Sequence, residues 1–194
     1  MQDHIKKHIA SHLEVMTRVA EELTESIAGC AEEISKALSI GRKVLVMGNG
    51  GSAADAQHFA AELVGRFLRE RKALPAVALT TDSSVLTAVG NDYGFDAIFS
   101  RQVEALVESG DVVVGISTSG QSENVHRALL VARQAGCFTV GLLGRDGGQI
   151  SEIVDADLTV PSESTPLIQE AHVAIIHILC DLIEQEACAH SDLC

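Results

Sequence analysis

The strongest constraint on the fold is a series of short apolar runs, several of which stop abruptly at small polar residues. Residues 44–47 lead into Gly48-Asn49-Gly50-Gly51-Ser52, and residues 112–116 into Ser117-Thr118-Ser119-Gly120-Gln121-Ser122. Residues 138–143 lead into a third glycine-containing loop; 76–79 and, more weakly, 158–160 complete the series. Unbroken apolar runs of this length suit strands buried on both faces of a parallel sheet. Helical stretches lie between them, so the pattern is a doubly wound, five-stranded α/β domain. No linker, repeat or low-complexity segment divides residues 1–194, which read as one domain. Residues 1–40 form a helical N-terminal extension that packs on the domain or on a neighbouring subunit. Its apolar residues Ile5, Ile9, Leu13, Met16, Val19, Leu23 and Ile27 predict one first helix. A second short helix surrounds Ile34, Ala37 and Leu38, and Gly41 stops it. A last long helix runs over 167–187.

Open parallel sheets bind ligands at the carboxyl ends of their strands. The chemistry therefore belongs in the loops after the first and third runs. The glycines of 48–51 let backbone approach a ligand, and the helix beginning near Ser52 aims free N–H groups at it. Gly48-x-Gly50-x-x-Ala53 also fits a relaxed dinucleotide pattern. However, the ribose-binding acid expected about 20 residues on would have to close the second strand, and Asp82 comes about ten residues too late. The 117–122 loop offers four hydroxyls before a helix near Glu123, a cradle that holds phosphate without Lys or Arg.

The helix after the first loop carries Asp55, His58 and Glu62 on one side, since residues three and four apart are neighbours. Imidazole and carboxylate at this spacing suit a zinc-like ion. Gln169, His172 and His177 punctuate the apolar last helix, where each His is either a satisfied core residue or a ligand. Gln169 and His177 are separated by about 12 Å along the axis, so one ion is shared only if both lean inward or different subunits contribute. Gly90-Asn91-Asp92-Tyr93-Gly94 reads as a polar loop able to bind sugar hydroxyls. His4, His8 and His12 share a helical face that reads as solvated.

Charge and composition exclude other classes. A net charge of −13 repels nucleic acid and anionic membranes, and with no Trp and one Tyr there is little to stack bases on. No run of 18 apolar residues appears, and the N-terminus lacks the apolar core of a signal peptide. Five cysteines without a CxxC pair (Cys30, Cys137, Cys180, Cys188 and Cys194) fit reduced thiols and a cytoplasmic setting.

Four stretches taken together carry a family resemblance: VLVMGNGGSAADAQHFAAELVGRF, LTAVGNDYGFDAIFSRQV, GDVVVGISTSGQSENV and IQEAHVAIIHILCDLIE. Over nearly its whole length the chain resembles the sugar isomerase (SIS domain) family. The resemblance implies a flavodoxin-like sheet and a homotetramer with sites at subunit interfaces. It implies one zinc per subunit held by His58, Glu62, Gln169 and His177. Substrate contacts would fall on Asn49, Gly50, Gly51, Glu62, Asn91, Asp92, Ser117, Thr118, Ser119, Ser122 and Gln169, with Glu62 and His177 catalytic. The implied reaction is the ketose–aldose conversion of sedoheptulose 7-phosphate to D-glycero-D-manno-heptose 7-phosphate through a metal-stabilised enediolate, with proton transfer by Glu62, His177 or Asp55. Other expectations on the same fold are a replication-initiator-associating binding protein and an isomerase of another sugar phosphate.

Overall fold

A computed structural model of the chain describes residues 1–189. Five strands, β1 (Val44–Gly48), β2 (Ala76–Ala78), β3 (Val112–Ser117), β4 (Phe138–Gly144) and β5 (Ala156–Val160), form one all-parallel sheet in the order β2-β1-β3-β4-β5. β1 and β3 are buried along their whole length, as their unbroken apolar sequences require. Alternate side chains serve opposite layers. Val44 and Val46 join one core, and Leu45 and Met47 the other.

The first core is closed by α1 (Gln2–Glu22), α2 (Thr24–Ser39), α3 (Gly51–Val64) and α8 (Thr165–Ala189). The second is closed by α4 (Ser83–Tyr93), a 3₁₀ turn (Phe95–Ala97), α5 (Ser100–Leu106), α6 (Glu123–Gln134) and the short α7 (Gly148–Ser151). This is the expected flavodoxin-like layering with its N-terminal helical extension.

Three local expectations are corrected. The first helix breaks at Leu23 instead of running through Ile27. Leu23 forms the junction with φ −114° and ψ −3° and turns its side chain into the core. Asn91 and Asp92 lie in the last turn of α4, not in a loop. Asp82 caps that helix by accepting from the Val85 amide at 2.9 Å, which accounts for its place after β2. Among the cysteines, Cys30, Cys137 and Cys180 are free, but Cys188 is disulfide-bonded, so the expectation of thiols throughout does not hold there; Cys194 lies outside the described residues. Burial pushes Cys30 and Cys180 up to about 12, which makes them poor thiolate ligands.

α8 is long and apolar enough to cross a membrane by length and composition, with mean hydropathy 1.4. Its apolar face instead packs on the sheet through Ile168, Ile175, Ile176 and Leu179. His172 sits inside this face, fully buried, its Nε2 2.8 Å from the Leu143 carbonyl of β4. It is a core histidine held through Nε2, with Nδ1 buried and without a hydrogen-bond partner.

Burial depresses the His172 pKa from 6.5 to about 4. The folded state therefore resists a proton that the unfolded chain accepts. Stability from this residue is complete above pH 6.5 and is lost as pH falls toward 4. The full loss is on the order of 3 kcal/mol. Urea unfolding of the wild type should weaken across that window more steeply than that of His172→Gln; parallel pH profiles would exclude this role.

Candidate active site

The sheet order reverses direction between β1 and β3, and the register pairs Gly48 with Ile116. The two polar loops thus leave the sheet side by side at its carboxyl edge, the switch point where α/β sheets bind ligands. A reciprocal amide pair joins them. Asn49 Nδ2 donates to Asn124 Oδ1, and Asn124 Nδ2 to Asn49 Oδ1, each at 2.9 Å. Asn124 is buried at the start of α6, and the sequence does not mark it as a site residue, since there it resembles any polar group at a helix start.

The second loop is shaped for an anion. Ser117 Oγ and Ser122 Oγ lie 2.9 Å apart, Ser119 Oγ accepts from the Gln121 amide, and α6 begins at Glu123 with its amides facing the loop. Gly120 is required here: its φ is +65°, and a Cβ would strike the Gly147 carbonyl of the loop behind it.

α3 and α8 both start at this edge and run side by side. At their first turns Gln169 lies over Gly51, where an added Cβ would collide with Gln169 Nε2. Two turns further on, His177 Nε2 meets His58 Nε2 at 3.3 Å, and His58 Nε2 meets Glu62 Oε1 at 3.0 Å. The imidazoles stand edge to face, 5.0 Å between centroids at 82°. Asp55, one turn before His58, has a buried oxygen, Oδ2, without a hydrogen-bond partner. Burial raises its pKa, and nearby His58 pulls it partly back.

Two nitrogens bound to one tetrahedral zinc at ~2.0–2.1 Å stand roughly 3.3 Å apart. The His58–His177 spacing fits such a shared ion, with Glu62 beside it. Among the described residues no trio of His, Cys, Asp or Glu closes into a complete metal cage. The structure brings His58 to both Glu62 and His177 and leaves Gln169 against Gly51, at the other end of the helix pair. Asn91 and Asp92 are exposed, bonded to each other at 2.7 Å, and lie about 12 Å along α4 from its first turn. The helical face of His8 and His12 is not merely solvated: both rings lie 2.7 Å from Glu170 oxygens and tie α1 to α8.

A second group that sequence patterns do not mark lies behind the histidines. Glu184 of α8 and Arg71 are a buried ion pair, Oε1 to Nε 3.1 Å, and Phe67 stacks 5.4 Å from the His177 ring. Phe67 and Arg71 sit in an irregular stretch with no periodic signal.

A parallel sheet with a hydroxyl-lined loop at its switch point, and a histidine–carboxylate cluster two turns down the helices that flank it, defines an α/β domain with a small-molecule crevice. The SIS domain model matches residues 7–144, and the chain belongs to that family. It is 65% identical to a phosphoheptose isomerase of Geobacter metallireducens, over 95% of this chain and 98% of the relative. It is 64% identical to one from Geotalea daltonii, over 95% and 96%. Among solved structures, the phosphoheptose isomerase of Neisseria gonorrhoeae superposes with a TM-score of 0.90 at 46% identity, covering 95% of this chain and 98% of that one. That of Francisella tularensis gives 0.92 at 41%, with the same coverage.

Asn124→Leu removes both partners of the Asn49 amide. It should cost about 1–3 kcal/mol, the penalty of an unpaired buried polar group. An unchanged urea midpoint would mean that the two loops do not depend on the pair.

Proposed function

We propose that the protein is an aldose–ketose isomerase converting sedoheptulose 7-phosphate to D-glycero-D-manno-heptose 7-phosphate, the first step toward a bacterial heptose. The observation that carries this reading is the meeting of His58 with Glu62 and His177 where α3 packs on α8. The names of the relatives support the substrate class.

The Ser117, Thr118, Ser119 and Ser122 hydroxyls and the α6 amides hold the phosphate. Asn49, Gly50 and Gly51 contribute the facing amides, and Gln169, Asn91 and Asp92 bind sugar oxygens. Fixing the phosphate orients the reacting carbons. One zinc ion per subunit would be held by His58, Glu62 and His177, with Gln169 as fourth ligand. When bound, zinc supplies Lewis-acid polarisation of the carbonyl and stabilises negative charge on the enediolate.

Isomerisation removes the C1 proton of the ketose and returns a proton to C2. Glu62 and His177 form the acid–base pair for this transfer. A carboxylate beside a bound cation is a weaker base, which keeps Asp55, with its unpartnered buried oxygen, as the second candidate. Glu62→Gln should lower turnover more than ~100-fold. Normal turnover in Glu62→Gln together with loss in Asp55→Asn would move the role to Asp55.

The decisive assay follows sedoheptulose 7-phosphate by NMR with and without chelator. Conversion abolished by chelation and restored by zinc supports both the reaction and the metal; conversion indifferent to chelator removes the metal. Conversion of a different sugar phosphate alone would mark an isomerase of other specificity. No conversion of any would favour a binding protein of the replication-initiator-associating kind.

The same reading includes a cytoplasmic homotetramer. Glu62 lies about 16 Å along α3 from Gly51, whereas a seven-carbon chain of C–C bonds near 1.5 Å reaches only roughly 9 Å. Phosphate loop and acid–base pair are therefore drawn from different subunits, and so is Gln169. Ile5, Ile9 and Leu13 form an exposed stripe on α1 suited to subunit contact. Ile9→Glu with Leu13→Glu should reduce the mass seen by light scattering and abolish activity with it; an intact, active tetramer would take α1 out of the interface.

A further inference from the structure

Two buried charged side chains link three parts of the molecule around the histidines. Glu184 follows His177 by seven residues on α8, a spacing that puts both on one helix face. Its carboxylate is fully buried and accepts from the backbone amides of Phe67, Leu68 and Arg69 at 3.0, 2.7 and 2.7 Å. Burial alone would raise this carboxyl. The amides and Arg71 outweigh it and hold the pKa below the ordinary carboxylate value, so Glu184 is ionised.

Arg71 lies against it, with Nε 3.1 Å from Glu184 Oε1 as an ion pair. Its other nitrogens point away to the end of α3: Nη2 donates to the Glu62 carbonyl and Nη1 to the Leu63 carbonyl, each at 2.9 Å. One ion pair thus clamps the last turn of α3, the strap after it and the second half of α8. The strap carries Phe67, whose ring stacks on His177 at 5.4 Å and 34°. The opposite contact of His177 is the His58 ring of α3.

A buried ion pair adds little net stability over apolar packing. Its distinctive consequence here is geometric. It fixes the backbone of Glu62 and the ring of Phe67 in one frame with His177.

We propose that Arg71 and Glu184 are positioning residues of the active site, setting the imidazole of His177 through Phe67 and the end of α3 through the Glu62 carbonyl. The effect on turnover rests on the isomerase reading; the orientation of His177 does not. The test therefore has two readouts on Glu184→Gln and Phe67→Leu, with His177→Gln assigning the His177 imidazole resonances. Outer-shell partners of this kind cost about 10–100-fold when removed. We expect kcat of Glu184→Gln to fall by that factor with KM unchanged, because the phosphate cradle is untouched. We expect the His177 ring resonances to move toward their Phe67→Leu positions, as the aromatic face leaves. A variant that only melts earlier, with wild-type kcat per folded molecule and unmoved His177 resonances, overturns the proposal. If Glu184→Gln does not fold, Phe67→Leu decides: wild-type kcat and resonances there overturn it equally. If the wild type has no isomerase activity, the resonance shift decides by itself, and unmoved resonances overturn the proposal.

Discussion

The pairing of β1 with β3 governs the rest of the structure. Parallel strands buried on both faces leave no polar surface along their length, so every group able to touch a ligand is displaced to their carboxyl ends. Because β1 and β3 are neighbours although β2 intervenes in sequence, their two loops open into one crevice. The Asn49–Asn124 amide pair then fixes the loops to each other. With that edge fixed, the starting points and directions of α3 and α6 follow.

The contact between α3 and α8 is the second level. The helices touch at intervals: Gly51 against Gln169, His58 against His177, and the carbonyls of Glu62 and Leu63 tied to Glu184 through Arg71. Each contact differs in chemistry. The first depends on a missing Cβ, the second on two imidazoles, the third on a buried charge pair. Each holds the two helices at a fixed spacing at its own level, since close-packed interiors leave little slack.

Much of this was legible in the chain because its signals are local. A strand ending in glycine or serine, a His and Glu four apart, and imidazoles on an apolar helix are all readable from neighbours in sequence. The two α8 histidines show where such reading stops. His172 and His177 are five positions apart, a rotation of about 140° around the axis. One therefore faces the β4 carbonyl of Leu143 and the other faces α3. Sequence alone offered both residues the same two roles; only the packing of α8 assigns them. Asn124, Arg71 and Glu184 were invisible for a related reason. Their partners lie 75 and more than 100 residues away, and nothing local distinguishes a buried Glu at helix spacing from a solvated one. The break at Leu23 leaves that side chain in the core, so the apolar spacing continues across it and periodicity does not register it.

The electrostatics of the whole chain bear on how such a site works. With a net charge of −13, the protein's long-range field opposes a phosphorylated ligand. The cradle answers with short-range, fixed dipoles, namely hydroxyls and helix N-terminal amides, which act only at contact. Discrimination therefore rests on fit at the loop and not on attraction at a distance. The carboxylates of Asp55 and Glu62 belong to α3, about one and three turns beyond its start, and not to the hydroxyl loop itself. Two imidazoles 3.3 Å apart, beside those carboxylates, concentrate negative and lone-pair density at one point. That is an electrostatic environment unlike the hydroxyl loop, although both belong to helices that flank β1 and β3.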